Sequence, residues 1–141
     1  MMRCLALGTV VCCLLSGPLM AACLDAQKLG QITYANNSSY FSSASTHVLE
    51  KIKQQASDKH QGYLLLEFNL FPGDGDKKLQ QYNLWLANRR IARVKNYLSA
   101  ANLPLPIITR IRTAAPEEKR DVDVLWCPKQ TLANEYTTDK H

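Results

Sequence analysis

Past residue 22 the chain holds only two cysteines, Cys23 and Cys127, because Cys4, Cys12 and Cys13 all fall in its first 22 residues. Histidine is equally sparse: His47, His60 and His141 are scattered without ligand spacing, so no metal site is expected. Catalytic signatures are missing as well. There is no Gly-x-Ser-x-Gly, no His-Glu-x-x-His and no cysteine beside a plausible base, so the expectation is a protein that is not an enzyme and needs no cofactor. The net charge of +5 is too modest to argue for nucleic acid. Beyond the first 22 residues no segment approaches the roughly 20 apolar residues that span a bilayer. No internal repeat or low-complexity tract appears.

The first 22 residues have a character of their own. Arg3 is followed by an apolar run from Cys4 to Leu15, then Ser16-Gly17-Pro18, then Ala21 and Ala22, the layout of a secretory signal peptide over 1–22. Its removal takes Arg3 with it and lowers the net charge to +4. Two readings of the remaining cysteines stay open. Met20-Ala21-Ala22-Cys23 resembles a bacterial lipobox, in which Cys23 would carry a lipid and tether the chain to a membrane. Alternatively Cys23 and Cys127 form a disulfide in an oxidising compartment. The disulfide is preferred, because lipidation would strand Cys127 as a free thiol. Both readings place the protein in the cell envelope: periplasmic, or held at the outer membrane by a Cys23 anchor. Export also removes nucleic acid as a partner.

Along the rest of the chain, "QITYANN" (31–37) alternates enough for a first strand, with 23–30 a short segment before it. "SSASTHVLEKIKQQASDK" offers Ser and Thr caps, and gathers Val48, Leu49, Ile52 and Ala56 on one helical face. "GYLLLEFNL" (62–70) is a nearly continuous apolar run, which predicts a strand covered on both faces. "FPGDGD" (71–76) is loop chemistry. The next helix is expected from Lys77 to Ala100, with Leu84, Ala87, Ile91, Val94 and Leu98 as its buried stripe. "NLPLP" ends it. "IITRIRT" (107–113) and "DVDVLW" (121–126) are alternating strands, with Arg110 and Arg112 facing outward towards acidic neighbours. Trp85 and Trp126 read as packing residues. The tail from 128 to 141 is polar, aperiodic and expected to be flexible. The fold class is therefore α+β: two helices on one face of a four-stranded sheet.

One stretch carries more than periodicity. Asn83, Leu86, Ala87, Arg89, Arg90, Ile91, Val94, Tyr97 and Leu98 follow the pattern N-x-x-L-S-x-R-R-A-x-x-V-x-x-Y-L, with Ala87 in place of Ser and Ile91 in place of Ala. Together with "ITYANNSSYFSSASTHVLEKI", this resembles the OmpA-like peptidoglycan-binding domain of outer-membrane porin tails, peptidoglycan-associated lipoproteins and flagellar stator proteins. The resemblance spans about residues 31 to 126 and implies a domain over 31–127 with βαβαββ order. It also implies a mixed sheet in the order first, fourth, second, third, with the fourth strand antiparallel to the first. That topology would carry Cys127 towards the segment holding Cys23.

The resemblance further implies a ligand, the diaminopimelate side chain of the peptidoglycan stem peptide. Such a zwitterion needs a carboxylate for its ammonium and an arginine fork for its carboxylate. The family arginine maps onto Arg90, and Asn83, two helical turns earlier, projects on nearly the same face. The family aspartate follows the second strand in a Thr-Asp pair, where this chain has Asn69-Leu70. The longer loop that follows holds Asp74 and Asp76, the candidates for the missing carboxylate. The paired arginine that opens the family's last strand is here Arg120-Asp121. The implied function is non-covalent, non-catalytic peptidoglycan binding. The alternative is a periplasmic interaction module that has lost the site and docks other envelope proteins, accessory to a secretion, conjugation or surface-fibre apparatus.

Overall fold

A computed structural model describes residues 23–73 and 75–129. The signal expected over 1–22, Asp74 and the tail from 130 onward, with His141, lie outside the described residues. The elements run β1 (Gln27–Thr33), α1 (Ser43–Ser57), β2 (Tyr63–Asn69), α2 (Lys77–Ser99), β3 (Ile107–Arg112) and β4 (Asp121–Cys127). The strands form one mixed sheet in the order β1-β4-β2-β3. β4 is antiparallel to both β1 and β2, and β3 is parallel to β2. Among the described residues no helix is long and apolar enough to cross a membrane.

Both helices lie on the same face of this sheet. Leu49, Ile52 and Ala56 of α1 and Ala87, Ile91, Val94 and Leu98 of α2 share one buried cluster with Ile32, Leu64, Leu66, Phe68, Val122 and Val124. β2 is buried from Leu64 to Phe68 on both faces, as its apolar run predicts. On the face away from the helices Glu67 is covered by its neighbours: it accepts from Arg110 Nε at 2.7 Å and from Arg110 Nη2, and Arg112 Nε lies 3.2 Å away. Arg110 and Arg112 thus find the acidic partner expected of them.

β1 begins four residues ahead of the strand expected over 31–37. A bulge between Lys28 and Gly30 resets the alternation, so Leu29 and Ile32 both face the core. Gly30 lets α1 pack close to the strand, since a Cβ there would stand 2.8 Å from Ile52 Cδ1 and 2.9 Å from Val48 Cγ1. Tyr34 is buried just beyond the strand and its hydroxyl donates to the Arg90 carbonyl at 3.0 Å. α1 starts at the Ser42 cap, whose Oγ accepts from Ser45 N at 3.1 Å. Ser45 Oγ in turn donates to Thr33 O at 2.8 Å, tying the helix to the end of β1.

Within α2 the stripe differs from expectation at its start: Leu84 is 41 % exposed, and Leu86 and Arg90 take buried places beside Ala87, Ile91, Val94 and Leu98. Trp126 packs against the core and donates its Nε1–H to Gln61 O at 3.0 Å. Trp85 does not pack: it is 52 % exposed.

Cys23 and Cys127 are joined by a disulfide with Cα atoms 5.5 Å apart, well inside the limit of about 7 Å for a bridge. A lipid on Cys23 and this bridge would need the same sulfur. Gly62, at φ +88°, passes directly under the Cys127 carbonyl, which a Cβ would meet at 2.0 Å.

Between the helices, the Tyr97 hydroxyl and the Lys53 ammonium both donate to the Glu50 carboxylate, and the Tyr97 bond is the larger cause that holds Glu50 below the usual glutamate range. A carboxyl with a lowered folded-state pKa stabilises the fold above its unfolded pKa, and that contribution is lost as pH falls through the lowered value. Tyr97→Phe is therefore expected to move the Glu50 titration upward. Carboxyl chemical shifts followed against pH in both proteins measure it, and an unmoved midpoint would discount the bond.

Candidate functional site

The longest connection on the helix-bearing side, residues 34–42, joins β1 to α1 and crosses α2 near its middle. It is a backbone-rich turn with Asn37 at φ +52°, a conformation Asn tolerates better than most residues. Two arginines of α2 hold it. Arg90, only 4 % exposed, donates from Nε to Ser38 O at 2.8 Å and from Nη2 to Ala35 O at 3.1 Å. Its guanidinium lies 5.2 Å from the Tyr34 ring centre and 6.0 Å from that of Phe68. Arg93, one turn on, donates from Nε to Ser39 Oγ at 3.1 Å.

Burial lowers the Arg90 pKa, Tyr34 pulls it back up, and the like charge of Arg120 lowers it again. Starting from so high a value the guanidinium stays charged at neutral pH. Burial also pushes the Tyr34 hydroxyl up, above its ordinary range, so Tyr34 is a neutral donor here. Arg90 carries no carboxylate partner among the described residues. Its two bonds go to carbonyl oxygens and leave Nη1 over.

Arg90 lines a cleft of about 440 Å³ between the 34–42 turn, the loop before α2 and the turn before β4. Asn83 and Asp76 line the same cleft, so three of the four residues expected at the site meet in one place. The fourth, Asp74, lies outside the described residues. Asp76 has a structural task as well: it caps α2, its Oδ1 accepting from Lys78 N at 2.9 Å and Leu79 N at 3.3 Å. Oδ2 takes no part in the cap. Gly73, which lines the cleft, and Gly75 take φ +76° and +81°, the left-handed region that glycine adopts without strain.

The cleft also contains residues that periodicity could not nominate. Asn36 and Asn37 come from the first turn, and Glu118, Lys119 and Arg120 from the turn before β4. Their signal in the sequence is the paired asparagine and the charge run "EEKR", and only the fold shows that the two turns flank one space. The floor is apolar, formed by Phe68, Leu70 and Leu86. Both signs of charge stand around it, Asp76 and Glu118 against Arg90, Lys119 and Arg120. Such a rim suits a small zwitterion or a carboxylate with an aliphatic stem. Among the described residues no three His, Cys, Asp or Glu side chains cluster as metal ligands.

Compared with protein-family models and with curated proteins, the chain matches none.

Proposed function

We propose that the protein is a non-catalytic cell-envelope protein that binds peptidoglycan through this cleft, with the diaminopimelate side chain of the stem peptide as ligand. The observation that carries the reading is the convergence of Arg90, Asn83 and Asp76 on one cleft of mixed charge. The strand order β1-β4-β2-β3 and the antiparallel β1/β4 pair are the arrangement that the OmpA-like resemblance implies, which supports the reading. In this reading the ligand carboxylate is held by Nη1 of Arg90 together with Arg120 and the Asn83 amide, the ammonium by Asp76 and Glu118, and the aliphatic stem lies on Phe68 and Leu86. Charge-assisted bonds of this kind are each worth about 1.5–3 kcal/mol. The loss of the usual Thr-Asp pair at Asn69-Leu70 is offset by carboxylates from the α2 cap and the turn before β4.

A second reading, an envelope interaction module that has lost wall binding, is favoured by one observation: Nε and Nη2 of Arg90 are already engaged with the 34–42 turn. Co-sedimentation with diaminopimelate-type sacculi separates the two. The first reading expects Arg120→Ala and Asn83→Ala to weaken binding by about tenfold or more, one lost charge-assisted bond apiece, while circular dichroism stays unchanged. A folded wild type that stays in the supernatant would give the second reading the field.

A further inference from the structure

α2 carries six cationic residues between Lys77 and Ser99 and no acidic one. Two of them, Arg89 and Arg93, stand in a line with exposed aromatics. Tyr82 and Trp85 stack with ring centres 5.7 Å apart, and Arg89 lies 5.0 Å from the Trp85 ring centre. One turn further, Arg93 lies 4.2 Å from the ring centre of Tyr40, which the 34–42 turn delivers and which is 69 % exposed. The spacing of three, four and four residues keeps Tyr82, Trp85, Arg89 and Arg93 on one helical face about 16 Å long. Among the described residues no carboxylate forms a salt bridge with Arg89 or Arg93, although ion pairs form elsewhere on the molecule.

We propose that this face docks an acidic segment of a partner protein, with Trp85 as its apolar anchor and Arg89 and Arg93 as its carboxylate donors. Trp, Tyr and Arg are the side chains that dominate protein interfaces, and here they are already stacked, so less side-chain entropy is lost on docking. The unpaired cations set the sign of the partner. A bilayer is a poorer occupant, because a helix lying in lipid presents apolar side chains where this face presents guanidinium groups. This inference stands apart from wall binding, since none of these side chains lines the cleft.

The test titrates the full chain into a dye-labelled peptide of glutamate and leucine at helical spacing and reads anisotropy. Its lysine–leucine counterpart, phosphatidylglycerol vesicles and a chitin oligomer serve as comparison probes. The expected result is salt-sensitive binding of the acidic peptide alone, weakened about tenfold or more by Trp85→Ala and by Arg89→Glu, with Asn83→Ala unchanged. Arg89→Glu should also bring the chain closer to the lysine peptide. No binding of the acidic peptide, binding indifferent to Arg89→Glu, or capture by vesicles or chitin instead would each overturn the proposal. Sacculus binding by wild type, kept in Trp85→Ala and Arg89→Glu and weakened in Asn83→Ala, leaves the wall reading standing if this inference alone fails.

Discussion

Replacing both Cys23 and Cys127 with serine is expected to remove about 5 kcal/mol of stability, the chain-entropy value for a closed loop on the order of a hundred residues. The bridge joins residues 104 apart in sequence, so it restrains nearly the whole described chain in the unfolded state. Against a usual domain stability of about 5–15 kcal/mol, the loss leaves a marginal fold. The effect should also have a place. β1 is an edge strand paired only to β4, and the bridge closes the end of that pair, beside the Gln27–Trp126 match. Without it β1 is expected to fray first, so amide exchange should accelerate at residues 27–33 before it does in β2. Urea unfolding of the double serine variant, and of wild type with and without reductant, measures the energy. A change below about 1 kcal/mol would remove the bridge from the list of stabilising features. Mass spectrometry of the protein from its own cells adds a direct check: a diacylglycerol adduct on Cys23 would exclude the bridge altogether.

The parts of this molecule that can be read from sequence are those whose periodicity is local. The run Leu64 to Phe68 announces a covered strand, and Leu49, Ile52 and Ala56 announce the buried face of α1. Where a tertiary contact resets the period, the reading slips. The bulge at Lys28 and Gly30 hides the true start of β1, because it turns Leu29 and Ile32 inward at odd spacing. Trp85 and Leu84 look like core residues by type, yet the side of α2 on which they sit meets no other element closely enough to bury them. The site divides in the same way. Arg90 and Asn83 belong to one helix, so a helical motif finds them, and Asp76 stands out as a carboxylate of the loop before it. Asn36, Asn37 and Glu118 to Arg120 come from turns far apart in sequence, which meet only because β1 pairs with β4 and sets Thr33 against Asp121. The engagement of Arg90 with Ala35 and Ser38 was equally invisible, because a helical motif names a side chain and not the carbonyls that a distant turn brings to it.

That engagement changes what substituting Arg90 should do. Arg90→Ala removes two hydrogen bonds from a charged donor to the 34–42 turn, together with the stem that fills the space over Tyr34 and Phe68. At about 1.5 kcal/mol or more for each charged bond, the expected destabilisation is about 3 kcal/mol. Loss of sacculus binding in that variant would therefore report on the turn as well as on the ligand. Arg90→Lys separates the two roles. A lysine keeps the charge at the cleft but has no planar fork, so it can satisfy one carbonyl or a ligand carboxylate and not all three. If Arg90 is purely a clamp, Arg90→Lys should lose part of the stability and leave binding at the level of the Tyr34→Phe variant, which loosens the same turn by deleting the bond to the Arg90 carbonyl. If Nη1 also holds the ligand, Arg90→Lys should bind sacculi about tenfold or more worse than Tyr34→Phe at matched stability, because a single ammonium cannot serve the turn carbonyls and the ligand carboxylate together. Equal binding by the two variants would make the arginine scaffold and leave the ligand carboxylate to Arg120 and Lys119 across the cleft.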